Sequence, residues 1–219
     1  MRRFAVIGLG NFGFNVARRL YEDGHDVIAI DLNKDIIQQV KEYSTQSIIA
    51  DATERGTLET LGIDDTDVAV VSLGEKLDAS ILVTLHLKEM GVGKIIVKAL
   101  TGDHAKVLGL IGATEVVFPE RDMAIRLAER LSCPTVLDQV EFKEGYSVLE
   151  IETPRKFWGL TLKDAGIRNQ FNLSVILIRK GGAEGAAIIA PGPDDVIVEG
   201  DVLVLIGEDE FVEKFKNLS

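Results

Sequence analysis

The residues best suited to chemistry stand at the amino end of the chain. An apolar run, Phe4-Ala-Val-Ile7, leads straight into Gly8-Leu-Gly10-Asn-Phe-Gly13, the G-x-G-x-x-G spacing that a dinucleotide phosphate site demands. Gly8 permits the tight turn out of the strand, Gly10 lets the backbone approach a pyrophosphate, and Gly13 lets the following helix lie close on its strand. Phe12, Val16 and Leu20 recur at i, i+4 and i+8, so a one-faced helix is predicted to begin inside the glycine run and to aim its free N–H groups at phosphate oxygens. A second strand, Asp26-Val-Ile-Ala-Ile30, ends in Asp31, 18 positions after Gly13, where the fingerprint wants an acid for ribose hydroxyls. That carboxylate repels a ribose 2′-phosphate and so disfavours NADP. Two readings stay open on these residues alone: a working nucleotide site, or a Rossmann fold that has lost its ligand.

Other reactive residues form no constellation. His25 falls in the turn before the second strand, while His86 and His104 fall in helical patterns, where solvated or capping roles are expected. None has metal-ligand spacing to another His or to Cys. There is no Ser-His-Asp order, no Tyr-x-x-x-Lys pair and no G-x-x-x-x-G-K-[ST] loop. Lys98, ending the fifth predicted strand, fits a base, a positive charge near nucleotide phosphates, or a salt bridge between subunits. A dehydrogenase needs a general acid or base and a substrate pocket besides the cofactor fold. A small NAD-dependent oxidoreductase therefore stays as the alternative to a binding protein. A redox-sensing repressor is disfavoured, because no basic recognition helix precedes the Rossmann pattern.

The chain has 219 residues, room for one large domain or a full domain with a small one. Its net charge of −11 argues against nucleic acid and anionic membrane surfaces as partners. The single cysteine, Cys133, excludes an internal disulfide and is expected to be a small buried or half-buried side chain. With no signal-peptide pattern, the cytoplasm is the expected address. The longest apolar runs, such as Val68–Leu73, fall far short of the roughly 20 residues that cross a bilayer.

These groups are held by an alternation of Val- and Ile-rich strands with amphipathic helices from Arg3 to about Arg130, which implies a mostly parallel sheet covered on both faces. Strands are predicted near 3–8, 26–30, 46–50, 67–72, 94–98 and 115–118. Helices are predicted with Ile36, Ile37 and Val40 inward behind an Asn33 cap, Leu58 and Leu61 behind a Thr53 cap, and Ile81, Leu82 and Leu85 after Asp78. The sixth helix starts at Pro119 and is apolar on more than one face through Met123, Ala124, Ile125, Leu127, Ala128 and Leu131. It must bury its second face as a lid on its own sheet or across a subunit interface. After Ser132-Cys-Pro-Thr135 the alternation stops. Tyr146–Glu152, Leu173–Arg179, Ala186–Ile189 and Val202–Gly207 read as strands, Gly181-Gly182 as a hairpin turn, and Glu208–Leu218 as a closing helix with Phe211, Val212 and Phe215 inward. The expected architecture is α/β: a Rossmann-type domain over residues 1–135, then a small α+β domain over 136–219.

Taken in order, these motifs resemble the RCK (KTN) regulators of potassium transport, an RCK N-domain followed by a TrkA-C-like RCK C-domain. The resemblance runs nearly end to end. It rests on Phe4–Gly13, Ala29-Ile-Asp-Leu-Asn33, Ile49-Ala-Asp-Ala-Thr53, Ile96-Val-Lys-Ala99 and Val117-Phe-Pro-Glu-Arg-Asp122, then on Gly159–Ile167 and Val198-Glu-Gly-Asp-Val-Leu-Val204. The length is most similar to the separate cytosolic subunit of Ktr-type K⁺ uptake systems, which forms dimer units in a tetrameric or octameric ring beneath a membrane K⁺ transporter. The resemblance implies a regulator rather than an enzyme, peripheral to the inner face of the membrane and binding ATP or ADP, with NAD(H) as an alternative.

Carried over by residue, Gly8, Gly10, Asn11, Phe12 and Gly13 would hold phosphates. Asp31 and Leu32 would hold the ribose, Asp51, Ala52 and Thr53 the adenine edge, and Lys98 the neighbouring charge. Glu120 would sit at the dimer interface as a candidate ligand for a divalent cation, or it is an ordinary acid at a helix start. Asn11 departs from the pattern, because Ktr subunits that switch on ATP against ADP carry Arg there. Asparagine brings no charge, so weaker ATP/ADP discrimination is expected. The second domain of some Ktr subunits takes up cyclic di-AMP between two copies, and Ile167–Ile178 with Ala190-Pro191 is where it would lie. Ordinary turn chemistry explains Pro191, Gly192 and Pro193 as well.

Overall fold

The computed structural model describes residues 1–218 except Glu75 and residues 182–184. They form two compact units, residues 1–120 and 121–219.

The first unit is built as the apolar periodicity requires. Strands β1 (Arg3–Ile7), β2 (Asp26–Asp31), β3 (Gln46–Ile49), β4 (Val68–Val71), β5 (Lys94–Lys98) and β6 (Glu115–Val117) pair in parallel in the order β3-β2-β1-β4-β5-β6. Between them run α1 (Asn11–Glu22), α2 (Lys34–Val40), α3 (Arg55–Thr60), α4 (Leu77–Glu89) and α5 (Gly102–Ile111), and α6 (Pro119–Ser132) follows β6. Successive strand residues point to opposite faces, and both faces are apolar. Phe4 and Val6 pack with Ala17, Ile37 and Val40 of α1 and α2. Ala5 and Ile7 pack with Leu58, Val83, Leu87 and Leu108 of α3, α4 and α5.

Two details differ from expectation. Asn33 caps α2, accepting from the N–H groups of Asp35 and Ile36, but Thr53 caps nothing. Helix α3 starts at Arg55 behind Glu54, and the Thr53 hydroxyl is spent on Asp51 instead. On α4, Leu82 and Leu85 face outward, and the buried stripe is Ala79, Ser80, Val83, Thr84 and Leu87. The helix is apolar nearly all round, so periodicity could not choose its inner face. Packing did, seating small residues against α5 and the sheet. Helix α6 starts at Pro119 as predicted, with Met123, Ile125, Leu127 and Leu131 all exposed. Among the described residues no helix is long and apolar enough to cross a membrane.

The second unit holds an antiparallel sheet of β7 (Val136–Lys143), β8 (Tyr146–Glu152), β9 (Ser174–Arg179), β10 (Ala187–Ile189) and β11 (Val202–Glu208), in the order β10-β9-β11-β8-β7. Short helices α7 (Leu162–Ala165) and α8 (Ile167–Phe171) and the closing α9 (Asp209–Lys216) complete it. Its core centres on Phe157, Phe171 and Phe215, with Phe171 edge-on to Phe215 at 5.3 Å between ring centres. Strand β7 escaped the sequence reading. It is an edge strand rich in polar residues, and its register against β8 shifts twice, which breaks the period of two that marks a strand. Strands β9 and β10 pair antiparallel across the expected Gly181-Gly182 turn, of which Gly182 lies outside the described residues.

The tightest joint in the first unit lies where β1 turns into α1. A Cβ added at Gly13 would stand 2.0 Å from the Gly8 carbonyl oxygen, and one at Gly8, whose φ is +87°, would stand 2.6 Å from the Ser72 carbonyl oxygen. Gly13→Ala is therefore expected to lower unfolding stability by roughly 1–3 kcal/mol through overpacking against backbone. An unchanged urea midpoint would show that the joint can open.

Candidate functional site

The carboxyl ends of the six parallel strands open on a cavity of about 580 Å³. It lies where the strand order reverses, between β1 and β4, the place where open α/β sheets hold ligands. Each strand end supplies part of its wall: Asp51, Ala52 and Thr53 after β3, Asp31 and Leu32 at β2, Gly8, Gly10, Asn11 and Phe12 after β1, Lys98 at β5 and Glu120 after β6. Of the residues assigned from the sequence to the nucleotide and the cation, only Gly13 is not in the wall. It is the packing glycine, set under the turn against Gly8. The structure adds Ser72, Gly74 and Lys76 from the loop after β4 and Asp78 from the first turn of α4. No local motif marks that loop; only the pairing of β4 beside β1 brings it to the site.

The end of the cavity at the glycine turn is open backbone. Gly10 is the N-cap of α1 and offers no side-chain cap, and beyond its own chain neighbours nothing comes within 4 Å of where its Cβ would be. The first N–H groups of α1 are thus left to whatever enters the cavity.

Asp31 is busier than its spacing suggested. One carboxylate oxygen accepts the Leu9 N–H at 2.6 Å and the other the Asn33 N–H at 2.8 Å, so the side chain ties the end of β2 to the glycine turn. Asp51 accepts both the Thr53 hydroxyl at 2.6 Å and the Thr53 N–H at 2.9 Å. The hydroxyl bond is the largest of the causes that hold this carboxyl below the ordinary range, ahead of the N–H bond and the charge of Lys76. On the far side Lys98, nearly buried and stacked over Gly74, donates to Glu120. That bond keeps the Glu120 carboxyl low against the opposing effect of burial.

Residues 4–119 match the TrkA-N domain and residues 146–219 the TrkA-C domain. The chain is 36% identical over 216 residues to Ktr system potassium uptake protein A of Bacillus subtilis (strain 168), covering 99% of this chain and 96% of that protein. It is 38% identical over 215 residues to Ktr system potassium uptake protein C of the same organism, covering 98% and 96%. The chain belongs to the TrkA/Ktr family of potassium uptake proteins. Among solved structures, the RCK domain of GsuK has a TM-score of 0.53 at 22% identity, over 99% of this chain and 46% of that one. The GsuK channel bound to NAD has a TM-score of 0.54 at 22% identity, over 100% and 38%. At that identity they share the fold. The end-to-end RCK resemblance read from the sequence motifs is borne out.

In this TrkA/Ktr family member one histidine differs from expectation. His104 is neither solvated nor a cap. Thr101 caps α5 by accepting the His104 N–H, and the His104 ring is buried with Nε2 2.8 Å from the hydroxyl oxygen of Ser80 on α4. Ser80 itself donates to the Leu77 carbonyl, so the ring is the donor in that pair and its Nδ1 is left buried without a partner. Burial pushes the imidazole below its usual 6.5 and keeps it neutral. An unfolded chain takes up a proton there as pH drops below 6.5 while the folded chain does not. This contribution to stability is therefore whole above 6.5 and is lost as pH falls from there towards the lowered folded value. Between about pH 7 and 5.5, urea unfolding of wild-type protein should lose stability more steeply than that of His104→Gln. Parallel slopes would mean that the ring titrates as freely as in the open chain.

Proposed function

We propose that this chain is the nucleotide-sensing regulatory subunit of a potassium uptake system, working at the inner face of the membrane through a membrane-embedded K⁺ transporter subunit. The observation that carries the reading is the cavity at the strand-order reversal, which gathers an open helix N-terminus after β1, Asp31 at β2 and Asp51–Thr53 after β3, the order of phosphate, ribose and base. Gly8, Gly10, Asn11, Phe12 and Gly13 serve the phosphates, Asp31 and Leu32 the ribose, and Asp51, Ala52 and Thr53 the adenine edge. The ligand class is an adenine nucleotide, ATP or ADP or NAD(H). GsuK solved with NAD and with ADP supports that class by kinship of fold. Residues 1–135 form the sensing part and 136–219 the regulatory part.

The protein acts as a switch rather than a catalyst. No histidine, cysteine or tyrosine is among the described residues lining the cavity, and Lys98, the base candidate, is engaged by Glu120, which favours binding over proton transfer. A nucleotide acts by binding two arrangements of paired subunits with different affinity. Dimer units joined into a tetrameric or octameric ring carry that difference to the transporter, and the exposed apolar residues of α6 suit a subunit interface.

Glu120 is the cation candidate. Among the described residues no group of three or more His, Cys, Asp and Glu is gathered for a metal. A divalent ion at Glu120 would therefore take its other ligands from phosphates or from a second copy. In the second unit a hollow lined by Leu162, Ile167, Arg168, Leu173, Ser174 and Val175 overlaps the Ile167–Ile178 stretch assigned to cyclic di-AMP, without Ala190 and Pro191.

Two measurements test this. Asp31→Asn keeps an acceptor for the Leu9 N–H but removes the charge. It should weaken ATP, ADP and NAD by roughly 1–3 kcal/mol in calorimetry, and unchanged affinity for all of them would remove the ribose role. K⁺ flux into vesicles holding the membrane subunit of a Ktr system should depend on this chain and on which nucleotide is present. Equal flux with and without nucleotide would refute the switch.

A further inference from the structure

If the cavity does hold an adenine nucleotide, as the reading above has it, the strand order makes it a linear site. Carboxyl ends meet the cavity in the sequence β3, β2, β1, β4, β5, β6, neighbours standing about 4.8 Å apart. Asp51 and Thr53 follow β3, Asp31 ends β2 and the glycine turn follows β1. A nucleotide laid with its base over β3 and its ribose at Asp31 delivers its first pair of phosphates to the start of α1. A further phosphate is carried one strand on, to the loop leaving β4. That loop carries Lys76.

Three observations single out this lysine. Its loop abuts the glycine turn, since the Ser72 carbonyl oxygen fills the space where a Cβ on Gly8 would stand. Its ammonium is uncommitted: among the described residues it forms no ion pair and no side-chain hydrogen bond, though its charge already reaches the Asp51 carboxylate. Lys98, the other cation of the wall, lies a strand further away and is held by Glu120. Finally, the wall is otherwise acidic, through Asp31, Asp51, Asp78 and Glu120, and Asn11 adds no charge. Backbone N–H groups suit a pyrophosphate, but a third phosphate brings more negative charge into an acidic cleft. Lys76 is the group placed and free to offset it.

We infer that Lys76 is the specificity-determining residue of the site, taking the third phosphate of a nucleoside triphosphate and so setting the preference for ATP over ADP. Calorimetry on the full chain with ATP and with ADP tests it. Lys76→Gln should weaken ATP about tenfold and ADP less than about threefold, while Lys76→Arg keeps the wild-type ratio. A general disturbance of the loop would weaken both nucleotides alike, and that outcome, or no loss at all, overturns the inference. If wild-type protein binds neither nucleotide, the nucleotide reading fails and this inference with it. If wild-type binds both and Lys76→Gln binds them as tightly, only the role of Lys76 fails.

Discussion

Contact between the start of α1 and the end of β1 is the constraint on which the site depends. Gly13 lies against the Gly8 carbonyl with no room for a side chain, and Gly8 in turn lies against the carbonyl of Ser72. Three backbone segments therefore meet without side chains between them: the glycine turn, the first turn of α1 and the loop after β4. Asp31 locks the arrangement from the other side by accepting the Leu9 N–H. The turn cannot drift, so the free N–H groups of α1 point into the cavity whether or not anything occupies it. A site built this way carries little reorganisation cost when an anion arrives.

The same joint explains why acidic groups crowd a place suited to phosphates. In a parallel sheet every strand delivers its carboxyl end to one edge, and the residues just beyond are where helices are capped and turns are closed. Asp31 and Asp51 both close turns with backbone N–H groups. Their charges are partly spent on that work. The two lysines of the wall are treated differently. Lys98 is half-buried and paired, while Lys76, at the start of α4, forms no ion pair among the described residues.

Much of the fold was legible because it rests on local rules. Strands buried on both faces read as continuous Val and Ile runs, and each of the six in the first unit lies within a residue or so of its expected bounds. The failures share a cause. Strand β7 is an edge strand with two register shifts, the inner face of α4 was chosen by packing, and Thr53 was drawn from capping to Asp51. His104 followed the same rule, since a helical pattern says that a residue is on a helix but not which neighbour covers it. In each case the deciding partner is distant in sequence or competes with the local motif.

The amino-acid sequence by itself determined the glycine turn, the acid after the second strand, the α/β alternation and the family to which the chain belongs. All of these are written in spacing along one stretch of chain. Only the tertiary structure decided that the loop after β4 lines the site, that Lys98 is engaged by Glu120 while Lys76 is not, and that Asp31 braces the turn it follows. The physical reason is the order of the strands. Parallel pairing sets β4 beside β1 across a crossover, so residues more than sixty positions apart come to share one wall, a proximity that no local pattern encodes.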